Sequence, residues 1–111
     1  MMNYEFGDVL IAAFPTTAPR GFKRRPVVMI LDIGDDDIVV VPITSTRRNA
    51  LGDFRLSGWK SAGLRAPSWV RLAKVTFVLK DEVARRLGRL THADRRLVVE
   101  AWASIYALRT R

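Results

Sequence analysis

Lys23-Arg24-Arg25-Pro26-Val27-Val28-Met29-Ile30-Leu31 and Ile38-Val39-Val40-Val41-Pro42-Ile43-Thr44-Ser45-Thr46 are the stretches whose reading decides the fold. Pro26–Leu31 and Ile38–Ile43 are strand-length runs rich in β-branched residues. Gly34-Asp35-Asp36-Asp37 between them reads as a hairpin turn. Antiparallel pairing lays the start of the first strand beside the finish of the second. The basic cluster Lys23-Arg24-Arg25 and the hydroxyls of Thr44-Ser45-Thr46 then share one rim of a sheet. A guanidinium fork beside a hydroxyl is a pairing suited to phosphate.

Working outward, Asp8–Phe14 is a mostly apolar first strand, and Pro15–Gly21, with two prolines and a glycine, reads as a loop. Arg47–Gly52 is loop-like and Phe54–Leu56 a short strand. Gly58–Gly63 is one helical turn bracketed by glycines. Ser68–Leu72 and Lys74–Val78 carry β-branched and aromatic residues of strand character. Asp81–Leu87 is read as a helix start that Gly88 interrupts. Thr91 with Asp94 resembles a capping box, and Leu97, Ala101, Ile105 and Leu108, flanked by Val98 and Trp102, mark the apolar face of a final helix, with Arg109 and Arg111 suiting its C-terminal dipole. The expected fold class is mainly β (α+β): a small barrel packed by a C-terminal amphipathic helix, with residues 1–111 as a single domain.

The 111 residues support one modest core. No apolar run approaches bilayer length, and Met1–Glu5 lacks the basic start and apolar centre of an export signal. Cysteine is absent, which excludes disulfides and thiolate metal sites and accords with a cytoplasmic location. Nineteen basic residues stand against 11 acidic ones, a net charge of +8. Lys23, Lys60, Lys74 and Lys80 are the lysines, so arginine dominates. Such a domain has an electrostatic reason to bind polyanions, although charge alone does not separate RNA, DNA and an acidic protein.

Several motifs occur together in order: Gly7-Asp8-Val9, the Pro/Thr loop, Lys23–Val28, Val41-Pro42-Ile43-Thr44-Ser45, Trp59-Lys60-Ser61-Ala62-Gly63-Leu64, Pro67-Ser68-Trp69-Val70-Arg71 and Leu87-Gly88-Arg89-Leu90. Together they resemble the MazF/PemK toxins of type II toxin–antitoxin systems, particularly the PemK-like branch, over nearly the whole chain. The resemblance implies an SH3-like barrel with a C-terminal helix, usually homodimeric. It implies an endoribonuclease (mRNA interferase) that cleaves single-stranded RNA without metal or other cofactor, restrained by a cognate antitoxin. The family's two most consistent active-site positions carry over to Arg25 and Thr44, and an arginine of the Kid-type branch carries over to Arg71. Lys23, Arg24, Ser45, Thr46 and Ser68 join Arg71 as expected RNA contacts. Two positions depart from the family pattern. Thr16–Phe22 holds no His, Glu or Gln, and Ala73 stands where the Kid-type pattern has aspartate, so the general base is unassigned.

Metal-free RNA cleavage uses the substrate's 2′-hydroxyl as nucleophile, builds charge on the phosphoryl oxygens and expels the 5′-oxygen. Arg25 and Thr44 are suited to stabilising that charge. Each signal has a plainer reading beside it. Arg24 and Arg25 also read as a solvated strand edge, Thr46 as a turn hydroxyl, and Arg71 as the partner of a carboxylate such as Asp53. Trp59 and Trp69 suit base stacking but packing is their commoner fate. His92 reads as a first-turn surface residue, and Asp35-Asp36-Asp37 lack the spacing of a calcium loop. Two alternative functions are a nucleic-acid-binding module without turnover and a gyrase-targeting toxin of the related fold.

Overall fold

The computed structural model describes residues 3–16, 21–108 and 110, with the backbone alone at positions 16 and 22. The expected loop residues 17–20 and the helix-terminal Arg109 and Arg111 lie outside them. Among the described residues seven strands and one α-helix follow in order: β1 (Asp8–Thr16), β2 (Gly21–Leu31), β3 (Asp37–Thr44), β4 (Asp53–Arg55), β5 (Trp69–Arg71), β6 (Thr76–Leu79), β7 (Val83–Arg89) and α1 (His92–Ile105). Every pairing is antiparallel.

The apolar runs of β1, β2 and β3 are near-continuous because both faces of these strands are covered. On one face Val9, Val28, Val41 and Ile43 pack with Leu56, Leu64, Leu72, Leu90 and Val98. On the other, Leu10, Ala12 and Phe14 pack with Val27, Met29, Ile38, Val40 and Val78. The sheet order is β4-β5-β3-β2-β1-β7, with β6 also on β3. This is the mostly antiparallel sheet with one C-terminal helix expected of an SH3-like barrel, but the sheet does not close. One edge of β3 is shared in succession: Asp37–Val40 pair with β6, and Ile43 and Thr44 pair with β5. The strand therefore bends from one ladder into another. Two register shifts in the β1–β7 ladder, between Val9 and Leu10 and between Ile11 and Ala12, add the twist that curls the other end.

Three expectations change. The β1–β2 ladder runs on through Pro15↔Phe22 to Thr16↔Gly21, so Pro15 and Gly21 belong to strands and Pro26 lies inside β2. The missing N–H of Pro26 is tolerated because the ladder to β3 ends beside it, at Val27↔Pro42. Asp81–Leu87 does not begin a helix: Lys80–Glu82 form a single 3₁₀ turn and Val83–Arg89 pair with β1. Edge pairing with a buried strand outweighs the weak local helix preference.

The helix begins where expected, with Thr91 Oγ1 accepting from the Asp94 N–H at 3.2 Å. The Asp94 carboxylate, however, is fully buried and turns away from the cap. It accepts from the Ser57 N–H and hydroxyl and from the Gly58 N–H at 2.8–3.2 Å. That clip rotates the buried face onto Asp94, Val98, Ala101, Trp102 and Ile105. Leu97 is exposed, and Leu108 lies past the helix, 97% exposed. The glycine-bracketed turn forms as read, its Ala62 N–H donating to the Gly58 carbonyl.

Candidate functional site

Where β3 leaves β2 to join β5, the two strand ends part and a pocket of about 750 Å³ opens between them. Continuing the Val27–Pro42 register by two residues sets Arg25 against Thr44 on the same face of the sheet. Both residues line the pocket, as do Lys23, Arg24, Ser45 and Thr46. The convergence expected from the paired strand ends is thus present, carried by one long hairpin.

Arg25 is held from behind. Its guanidinium carbon lies 5.7 Å from the centroid of the Phe14 ring, a cation–π arrangement that fixes the head group while leaving its edge free. Its Nε is buried and finds no hydrogen-bond acceptor among the described residues. A donor so placed carries a desolvation cost that an anion would relieve. Thr44 Oγ1 accepts from the Thr46 N–H at 3.1 Å. That bond orients the oxygen and leaves the hydroxyl proton for a ligand.

Ser68 also lines the pocket, but it is buried and its hydroxyl donates to the Ala66 carbonyl at 2.8 Å. Its proton is committed, so Ser68 shapes the loop and offers an anion no donor. Arg71 stands apart. Its Nε donates to Asp53 Oδ1 at 3.2 Å, against a carboxylate side chain only 1% exposed, and it does not line the pocket. Ala73, the position lacking the expected aspartate, is exposed beyond the end of β5. Trp59 and Trp102 pack against the helix-side core. His92 is exposed at the first helical position, and Asp35 and Asp36 are exposed in the β2–β3 turn. Among the described residues no group of three or more His, Cys, Asp or Glu side chains could hold a metal ion.

Arg48, Arg65 and Arg85 also line the pocket and were not singled out from sequence. With Lys23, Arg24 and Arg25 they make six cations, none forming an ion pair with a carboxylate among the described residues. Arg86 and Arg89, close by on β7, are instead bound to buried Asp8, and Arg89 also meets Glu5. The apolar lining is Ile11, Pro26, Ile43, Leu64 and Leu87, of which Ile11, Pro26 and Ile43 lie on the opposite face of the sheet from Arg25 and Thr44. No His, Asp or Glu lies among the described lining residues. A cationic rim beside an apolar lining is an arrangement for an anion carrying flat, hydrophobic groups, which describes single-stranded nucleic acid.

Residues 5–106 match the family model of PemK-like, MazF-like toxins of type II toxin–antitoxin systems. The chain belongs to this family. A curated PemK/MazF relative, the probable endoribonuclease MazF of Mycolicibacterium smegmatis (strain ATCC 700084 / mc(2)155), is 35% identical over 86 residues, covering 71% of this chain and 79% of the relative. Among solved structures, an endoribonuclease in complex with its cognate antitoxin from a mycobacterial species superposes with a TM-score of 0.78 at 21% identity, covering 98% of this chain and 100% of that one. The Mycobacterium tuberculosis toxin MazF-mt6 gives 0.75 at 21% identity, covering 93% and 99%. These likenesses establish the PemK/MazF toxin fold for the chain. Membership in a toxin–antitoxin family also implies an antitoxin as partner.

Proposed function

We propose that this PemK/MazF toxin is an endoribonuclease that cleaves single-stranded RNA at the β2–β3 pocket, with Arg25 and Thr44 as its catalytic residues. The observation that carries the reading is that Arg25, with an unpartnered buried donor, and Thr44, with an uncommitted hydroxyl proton, both line one cationic pocket.

The scissile phosphate lies between them. The adjacent 2′-hydroxyl attacks phosphorus in line, the P–O5′ bond breaks, and charge gathers on the phosphoryl oxygens. Arg25 donates to those oxygens as a permanent cation, and Thr44 donates its hydroxyl hydrogen. Lys23, Arg24, Ser45 and Thr46 flank the strand and hold its backbone. The 2′-hydroxyl proton leaves to solvent or to a group outside the described lining residues, and solvent water protonates the 5′-oxygen as it departs. The products are a 2′,3′-cyclic phosphate and a 5′-hydroxyl, with no metal or cofactor needed.

The toxin acts in the cytoplasm as a homodimer. No described helix is long and apolar enough to cross a membrane. Support for association comes from a cross-strand apolar row in which Leu31 pairs with Val39 and Val39 with Phe77, with Leu31 and Phe77 both exposed. The cognate antitoxin restrains the enzyme by laying an acidic segment over the same cations.

The test is incubation of the purified protein with a long single-stranded RNA in the presence of EDTA, followed by end-group analysis. Discrete fragments with cyclic-phosphate and 5′-hydroxyl ends support the reading. Retention of intact RNA would reduce the protein to a binding module, and 3′-hydroxyl ends would rule out the mechanism. A gyrase supercoiling assay lacking RNA checks the remaining alternative.

A further inference from the structure

The far wall of the pocket carries a feature that the Arg25–Thr44 chemistry does not use. In the β1–β7 ladder, Val9 pairs with Gly88 and Leu10 with Arg86, so Leu87 is an extra residue; Ile11 pairs with Arg85 and Ala12 with Val83, so Ala84 is another. Two bulges therefore bracket Arg85-Arg86. Bulges re-aim the side chains beside them. Arg86 turns to the buried Asp8 carboxylate at 3.0 Å, whereas Arg85 lines the pocket, exposed and without a carboxylate partner among the described residues.

A second device brings Arg65 to the same wall. The turn through Gly58–Gly63 lies flush on β7: a Cβ at Gly63 would come within 2.5 Å of the Leu87 carbonyl oxygen, and a Cβ at Gly88 within 2.6 Å of the Ala62 carbonyl oxygen. This interlock carries Leu64 into the pocket lining and Arg65 onto its rim. Across the sheet, Arg85 pairs with Ile11 and Ile11 with Pro26, so Arg85 shares the face of Pro26 and Arg24, opposite to that of Arg25. Arg85 thus stands two strand spacings from β2, roughly 10 Å. Ile11, Leu64 and Leu87, which line the same pocket, offer a ribose or base face an apolar seat but offer a phosphate nothing.

We propose that Arg85, flanked by Arg65, is a second phosphate subsite, which seats a neighbouring phosphodiester of the same RNA strand and sets its path across β2, β1 and β7. The assignment rests on the RNA-cleaving reading above and deepens it. The strand then crosses the sheet transversely, away from Arg71, whose charge is already committed to Asp53. Arg85 touches a phosphate that does not react, so it governs binding and register rather than the chemical step.

The experiment measures binding of a fluorescein-labelled single-stranded oligoribonucleotide, 2′-O-methylated so that it cannot be cut, over a range of salt concentrations. Single-turnover cleavage of the unmodified RNA is measured in parallel. Each phosphate contact to single-stranded nucleic acid contributes about 0.7 to the slope of log affinity against log salt. Arg85→Ala is expected to make that slope shallower by about 0.7. It should weaken binding roughly tenfold at low salt, a loss of about 1.4 kcal/mol, and leave the saturated cleavage rate close to wild type. Arg85→Lys keeps the slope, because a point charge suffices for phosphate. Arg96→Ala, which removes a helix-surface charge, leaves it unchanged. An Arg85→Ala slope equal to wild type, in a wild-type protein that binds and cuts RNA, would overturn the subsite alone. A wild-type protein that neither binds nor cuts would overturn the RNA reading together with it.

Discussion

Arg25 and Thr44 share the lining of one pocket at the point where β3 parts from β2, and two prolines mark that point. Pro26 ends the ladder on one strand and Pro42 makes the last cross-strand pair on the other. Beyond them β2 stays with β1 while β3 turns to β5. The opening therefore follows from backbone pairing, and both residues are carried on rigid strand ends, with little reorganisation left for the moment of reaction.

In the proposed mechanism Thr44 acts through its hydroxyl, whose oxygen is oriented by the Thr46 N–H. Thr44→Ala is expected to lower the single-turnover cleavage rate by about 10²-fold, the usual loss for one preorganised donor. Thr44→Ser keeps the donor and should stay within about tenfold of wild type. Equal losses for both variants would deny the hydroxyl its part.

Arg71 is a structural cation in this fold. Arg71→Ala strips a buried carboxylate of its partner, since Asp53 is 1% exposed and otherwise accepts from the Ala50 N–H. Unfolding in urea should show a loss of about 2 kcal/mol. The cleavage rate of the folded variant should change by less than about threefold, because the side chain lines no part of the pocket. A large rate loss with unchanged stability would return Arg71 to the site.

Gly63 has φ +90°, and an added Cβ would come within 2.5 Å of the Leu87 carbonyl oxygen. Gly63→Ala combines left-handed strain with a backbone clash, together about 2–4 kcal/mol. Its melting temperature should drop by at least about 8 °C. A drop smaller than about 2 °C would mean that the turn does not lie flush on β7.

Asp32 ties three segments together. It accepts from the Tyr4 and Gly34 N–H groups at 2.8 Å and pairs with Lys80 at 3.0 Å, with its side chain 2% exposed. The Tyr4 N–H chiefly, then the Gly34 N–H and Lys80, hold its carboxyl below the ordinary aspartate value of 3.8, against the opposing pull of burial. A depressed folded value means that the stabilisation is complete above the unfolded value and is lost as pH falls through the folded one. Asp32→Asn should cost about 2 kcal/mol at neutral pH. The gap between variant and wild type should close below about pH 4. A gap that persists at lower pH would show that the carboxylate charge is not what matters.

Much of the fold is legible in the chain because β1 and β3 are apolar runs covered on both faces, and such runs announce themselves. β2 is longer than its sequence suggests. Pro15 and Gly21 look like breakers, yet both fit the far end of a two-stranded ladder beyond the reach of β3. β7 is the clearest failure: Val83–Arg89 holds three arginines and a glycine, and only its long-range pairing with β1 makes it a strand. The helix and most of its buried face are legible, with Val98, Ala101, Trp102 and Ile105 on the core; Leu97 lies outside that face because buried Asp94, a polar residue, sets the rotation through Ser57 and Gly58. The site divides along the same line. Arg25 and Thr44 converge through a local hairpin and are visible in sequence. Arg65 and Arg85 reach the pocket only through β7 and the glycine interlock, which no local pattern reports.

The most direct measurement is single-turnover RNA cleavage by Arg25→Ala alongside its thermal unfolding. The variant loses a cation–π contact and an unsatisfied buried donor together, two effects that roughly offset, so stability should stay within about 1 kcal/mol of wild type. The rate should fall by at least about 10²-fold. A folded Arg25→Ala protein that cuts RNA within about threefold of the wild-type rate would contradict the account.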